Sequence, residues 1–120
     1  AEHLEGEGPP MTVLALMDGR PLGSASLVYY RFTGRPPVAG TEIPWLSNVY
    51  VVPEFRLRGL GNQLVNYLEL WAREHTITRL NLFTLDKQNF YLRRGWSRDY
   101  LARIGGREVD VMSIDLLGGP

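Results

Sequence analysis

The chain is 120 residues long, 44% apolar and 22% charged, enough for one hydrophobic core and too little for a multidomain assembly. Thirteen basic residues balance thirteen acidic ones, which removes the broad positive field that non-specific nucleic-acid or acidic-membrane binding relies on. With no cysteine in the sequence, a disulfide framework, a thiolate nucleophile and a Cys-based zinc site are excluded.

His3 and His75 stand too far apart in the chain to suggest a metal cluster. No apolar run approaches the ~18 residues of a membrane span, and the acidic, Gly/Pro-rich start AEHLEGEGPP lacks the features of a secretion signal. The expectation is a soluble, cytoplasmic protein with no nucleic-acid or membrane partner. Its cations are twelve arginines and the single lysine Lys87. Arginine suits fork-like contacts to phosphate or carboxylate, although genome base composition is the plainer source of the bias.

Residues 1–10 read as a tail, or as the end of a helix that lies upstream. Structure is expected from Met11: MTVLALM is a strand, DGRP is turn chemistry and SASLVYYRF is a second strand, making a hairpin. TGRPPVAGT is a loop. A third strand is expected over 43–52 and is stopped by Pro53, which has no ladder donor. Leu60, Leu64, Val65, Leu68 and Trp71 then recur at helical spacing, with Asn62, Gln63, Asn66, Glu69 and Arg73 on the other face, so a helix should run to about His75. RLNLFTL is a strand with Leu80, Leu82 and Thr84 on one side. Asp86 is placed to cap a short helix, KQNFYLRR, ended by Gly95. WSRDYLARI, the turn GGR and EVDVMSIDLL close the chain as a hairpin. This order predicts a one-domain α/β (α+β) fold over 11–117, with a mixed, mostly antiparallel sheet and flanking helices.

The chemistry concentrates in VVPEFRLRGLGN, residues 51–62. It leads from a strand through a glycine-punctuated loop into a helix N-terminus, where amides without intrahelical partners face the positive end of the helix dipole. Gly59 and Gly61 let a phosphate approach the backbone, and Arg56 and Arg58 add local charge. Residues 51–110 hold ten Lys/Arg against seven Asp/Glu. A Walker loop fails, because Gly61 is followed by Asn62 and Gln63. A dinucleotide fingerprint fails too, because its third glycine would stand at Leu64.

The residual pattern resembles the GNAT family of N-acetyltransferases. That family's acetyl-CoA loop reads Gln/Arg-x-x-Gly-x-Gly/Ala after a strand, matched here by Arg56, Gly59 and Gly61. Val51 and Pro53 match its upstream V-x-P. Phe90-Tyr91 followed by Gly95-Trp96 is similar to its second signature, and DGRPLGSASL to its second and third strands. The likeness spans about residues 11–117.

The resemblance implies an acetyl-CoA-dependent N-acetyltransferase that lets an amine attack the thioester directly, with acetyl-CoA as co-substrate and no metal. The co-substrate would lie where the family's fourth and fifth strands splay. By position, the backbone of Val49, Tyr50 and Val51 would meet the pantetheine arm. Amides of Arg56, Leu57, Arg58, Gly59, Leu60, Gly61 and Asn62 would cradle the pyrophosphate. Tyr91 would act as general acid toward the leaving thiolate, and Asp86 and Asn89 would border the cleft. Structural alternatives stand beside these roles: the glycines shape a tight turn, Tyr91 is a core residue, Arg58, Arg93 and Arg94 are solvated charges with Arg93 or Arg94 reaching a 3′-phosphate, and Trp45 and Trp71 line core or groove.

Two departures qualify the match. Where some members carry a glutamate base on the fourth strand this chain has Trp45, and neither Glu42 nor Glu54 stands at that position. The family also usually begins with a strand and two helices that build much of the acceptor site, whereas this chain starts at the family's second strand. The alternative function is therefore a truncated CoA-binding or regulatory module with little catalysis, or an interaction fragment that forms a homodimer or pairs with the missing N-terminal segment. The amine acceptor is not specified by any of these residues.

Overall fold

The computed structural model describes residues 10–29 and 43–116. Most of the expected tail, the end of the second expected strand, the 33–41 loop, Glu42 and residues 117–120 lie outside the described residues.

β1 (Met11–Met17) and β2 (Arg20–Val28) pair around Asp18 and Gly19, whose φ values are 51° and 79°. Two successive left-handed residues are what a two-residue hairpin turn requires. The turn is therefore tighter than the expected DGRP, and Arg20 and Pro21 belong to the strand. A register shift between Ala15 and Leu16 accompanies the pairing of Pro21, which has no N–H to give the ladder.

The chain continues through β3 (Trp45–Val51), a 3-10 turn at Pro53–Phe55, and α1 (Leu60–Glu74). It then forms β4 (Arg79–Thr84), α2 (Gln88–Arg93), β5 (Ser97–Ile104) and β6 (Arg107–Asp115). The six strands form one sheet in the order β1-β2-β3-β4-β6-β5, with β3 and β4 parallel and every other neighbouring pair antiparallel. This is the mixed, mostly antiparallel sheet with helices that the sequence predicts. Gly105 and Gly106 make the β5–β6 turn, again with positive φ at both positions.

Leu64, Val65, Leu68 and Ala72 form the buried stripe of α1, which packs on β1, β2 and β3. Leu27, Leu80, Leu82 and Met112 meet it from the sheet, each at most 2% exposed. Gly23 sets how closely these layers approach: a Cβ there would stand 2.8 Å from the Tyr50 carbonyl oxygen and 3.1 Å from Leu64 Cδ1. One residue of the helix overturns the sequence reading. Glu69, expected on the solvated face, is 8% exposed and lies on the buried stripe beside Val65 and Ala72.

Leu68→Ala should lower the unfolding free energy by about 2–5 kcal/mol, because Leu68 is fully enclosed. Leu70→Ala on the exposed face should cost roughly 0.5 kcal/mol or less. Urea unfolding of the two variants checks the assignment of faces.

Candidate active site

The parallel ladder between β3 and β4 consists of one pair, Trp45 with Asn81, reinforced by the Asn81 amide donating to the Pro44 carbonyl at 3.1 Å. Beyond it the strands diverge. The cause lies in β3, where Asn48 has φ +56° and the register to β2 slips by one residue between Ser24–Tyr50 and Ser26–Ser47. This is a β-bulge, and a bulge bends its strand and raises the local twist. Asparagine tolerates the left-handed conformation better than most side chains. The divergence opens a cleft of about 310 Å³ lined by residues 46–49 of β3, by Leu82, Phe83 and Thr84 of β4, and by Lys87 and Tyr91.

The loop after β3 is anchored at its start, where the Val52 amide donates to Leu22 O at 2.8 Å. Arg56 folds back so that Nε donates to Val51 O at 2.8 Å and its guanidinium lies 5.4 Å from the centre of the Tyr50 ring. Arg58 lies over Phe55 at 5.1 Å. Leu57 (φ 65°) and Gly59 (φ 81°) are both left-handed. For a leucine this is a strained conformation, and successive amides around such residues form the concavities that bind anions. Gly59 caps α1, and the first intrahelical bond runs from Gln63 N–H to Gly59 O at 3.1 Å. The amides of Leu60, Gly61 and Asn62 therefore precede the helical ladder and remain free of it. At Gly61 a Cβ would meet only Phe90, at 4.0 Å.

Tyr91, on α2, is 7% exposed and sits edge-on to Phe90 and Trp96, with ring centres 4.9 and 5.6 Å away. Burial pushes its hydroxyl from the ordinary 10.0 up to about 12; the Arg94 cation opposes the rise and the Glu69 carboxylate adds to it. Arg94 and Glu69 form a part-buried ion pair at 3.1 Å, and Glu69 also accepts from Trp96 Nε1 at 2.9 Å. Arg94 Nη1 donates to Asn62 Oδ1 at 2.8 Å. Below α2, Asp110 accepts from Gln88 at 2.6 Å and from Arg98 at 3.0 Å, which together hold its carboxyl below the usual range.

Residues 1–96 match the model of the acetyltransferase (GNAT) family. The chain belongs to the GNAT family. Among solved structures, a GNAT acetyltransferase from Streptococcus pneumoniae superposes with a TM-score of 0.74 at 18% identity, over 92% of this chain and 68% of that one. The ribosomal-protein-S18-alanine N-acetyltransferase of Escherichia coli gives 0.73 at 16%, over 92% and 72%. An aminoglycoside 6′-N-acetyltransferase complexed with coenzyme A gives 0.72 at 16%, over 91% and 74%. At these identities the likeness is one of fold. No curated protein matches the sequence significantly.

Within this GNAT fold, Val49 and Tyr91 from the expected set line the cleft directly. Tyr50 and Val51 follow on β3, with the Val51 carbonyl taken by Arg56. Arg56 to Asn62 occupy the loop and first helical turn beside it. Three expectations require correction. Asp86 does not cap α2, because Lys87 holds the N-cap position without a side-chain cap bond, and Thr84 Oγ1 accepts from the Lys87 amide at 3.0 Å just ahead of the helix. From that stretch Lys87 lines the cleft, while Asp86 and Asn89 do not. Arg94 is no solvated charge, because its side chain is 15% exposed and ion-paired.

Trp45 is buried, tilted against Phe83 with ring centres 6.1 Å apart, and Trp71 stacks on His75 at 3.9 Å. Glu54 pairs with Arg20 at 3.4 Å on the surface, outside the cleft lining. Among the described residues no cluster of metal-ligating side chains occurs, and no helix is long and apolar enough to cross a membrane.

Sequence reasoning missed the Asn48 bulge, the burial of Glu69 and the part of Lys87. A signal existed for the first two: asparagine is a poor strand residue in the middle of the expected strand IPWLSNVYVV, and Glu69 stands four residues after Val65.

The folded-state value for Tyr91 lies above that of an unfolded tyrosine. Its stabilising contribution is therefore complete below pH 10 and is lost as pH rises through about 12. Ultraviolet titration should show a tyrosine ionisation at about pH 12, and that step should vanish in Tyr91→Phe.

Proposed function

We propose that this chain is an acetyl-CoA-dependent N-acetyltransferase that passes the acetyl group to a primary amine by direct attack. The observation that supports it most is the combination of two features at the end of β3: the cleft where β3 and β4 part, and the loop-to-helix amides of residues 57–62. An extended ligand with a thioester arm and a pyrophosphate fits both at once. The arm would take the β3 backbone around Val49 as a strand partner, since β4 does not pair there. The pyrophosphate would accept from the amides of Leu57, Arg58, Gly59, Leu60, Gly61 and Asn62, whereas the expected Arg56 amide is already given to Pro53 O at 3.3 Å.

In the reaction the neutral amine nitrogen bonds to the thioester carbonyl carbon, the C–S bond breaks, and the sulfur leaves with the electron pair. Tyr91 is the residue assigned to that sulfur. With its hydroxyl held near 12 and a thiol ordinarily near 8.5, full proton transfer from the phenol runs uphill. Tyr91 thus stabilises the developing thiolate as a hydrogen-bond donor, and the ammonium proton released by the acceptor completes the balance. No cysteine is needed, because no acyl-enzyme forms.

One observation favours the alternative of a CoA-binding module with little catalysis. Among the described residues the cleft lining contains no carboxylate to serve as base. Turnover against a panel of amines separates the two readings.

Isothermal titration should show one coenzyme A bound per chain in the micromolar range, and a folded protein giving no heat at high micromolar ligand would sink both readings. Tyr91→Phe should bind coenzyme A within about threefold of the parent while kcat falls by roughly a hundredfold, the loss expected for one donor to a developing anion. An unchanged kcat would remove Tyr91 from the reaction.

A further inference from the structure

The Glu69–Arg94 pair is a poor device for stability. Taking two charges out of water offsets most of their attraction, and an apolar pair of similar volume generally serves a core as well. This pair also leaves the buried Nε of Arg94 without a hydrogen-bond partner, a further cost. What a guanidinium supplies that apolar side chains cannot is a set of fixed distances in one plane.

Here one guanidinium reaches Asn62 in the first turn of α1 at 2.8 Å and Glu69, about two turns later, at 3.1 Å. Glu69 in turn holds the Trp96 ring at 2.9 Å, and that ring packs edge-on against Tyr91. Arg94 itself follows Tyr91 by three residues at the end of α2. The amide end of α1 and the tyrosine on α2 are thus tied through a single side chain.

We propose that Arg94 is a positioning residue that holds the phosphate-binding first turn of α1 in fixed register with Tyr91, acting on coenzyme A through Asn62 without touching it. The inference rests on the reading of the cleft as a coenzyme A site. Glu69 is the counter-charge that orients the guanidinium inside the protein. Tyr91 responds to both partners, whose charges shift its hydroxyl in opposite directions.

The test uses the full chain with Asn62→Ala, with the paired change Glu69→Gln/Arg94→Met, and with all three changes together. The glutamine keeps an acceptor for Trp96, and the methionine fills the space without a charge, so thermal unfolding should stay close to that of the parent. Calorimetry measures coenzyme A, and displacement of coenzyme A measures pantetheine, which has the thiol arm but no pyrophosphate. The paired variant should bind coenzyme A roughly tenfold more weakly, with pantetheine within about twofold, and adding Asn62→Ala should bring no further loss.

Equal weakening of coenzyme A and pantetheine would mean general loosening of the fold and would overturn the proposal. So would unchanged coenzyme A binding in a folded paired variant, or multiplicative losses in the triple variant. If the paired variant does not fold, Asn62→Ala alone decides: unaltered coenzyme A affinity overturns the proposal, and selective loss of coenzyme A over pantetheine supports it. A parent chain that binds no coenzyme A overturns the underlying reading instead, and is told apart by the first titration.

Discussion

The architecture of this protein depends on a ladder that stops early. β3 and β4 share one parallel pair, Trp45 with Asn81, and then separate. In most sheets, abandoning ladder bonds between neighbours would leave buried donors and acceptors unsatisfied at a cost of about 1–3 kcal/mol each. The cost is tolerable here because the gap is open to solvent and to a ligand, and because β3 keeps its bonds to β2 on the other side. The bulge at Asn48 adds one residue to β3 alone, so divergence is built into the strand.

The rest of the structure keeps that gap the same width. The α1 helix lies against β1, β2 and β3 with Gly23 allowing the close approach, so β3 cannot drift back toward β4 without moving the helix. On the far side β4 is bonded along its whole length to β6. Gln88 of α2 is tied to β6 through Asp110, which also accepts from Nε and Nη2 of Arg98 on β5. The two walls of the cleft therefore belong to strands tied to different neighbours. Contacts that cross between them, such as Arg94 with Glu69 and Asn62, carry more geometric information than their small net energies suggest.

The position of Tyr91 illustrates how packing and chemistry combine. Its ring is held by Phe90 and Trp96, as a core tyrosine would be, and it also lines the cleft. The structural and functional readings of this residue are not exclusive. Burial immobilises the ring and raises its pKa, and both effects keep a protonated hydroxyl at a fixed place, which is the property a donor to a developing anion needs.

Much of this could be read from local pattern. Helical spacing located α1 to within a residue at its C-terminal end, alternation assigned the faces of β4, and Arg56, Gly59 and Gly61 with Phe90, Tyr91, Gly95 and Trp96 were sufficient to point to the GNAT family. These features are legible because they are imposed by neighbours a few residues away: a helix period, a pleat, a left-handed cap. The bulge at Asn48 and the burial of Glu69 were decided by tertiary structure. A glutamate at helical position 69 is compatible with water or core alike. Arg94 and Trp96, distant in sequence and brought over α1 by the sheet, supply the bonds that make the core the better place for it.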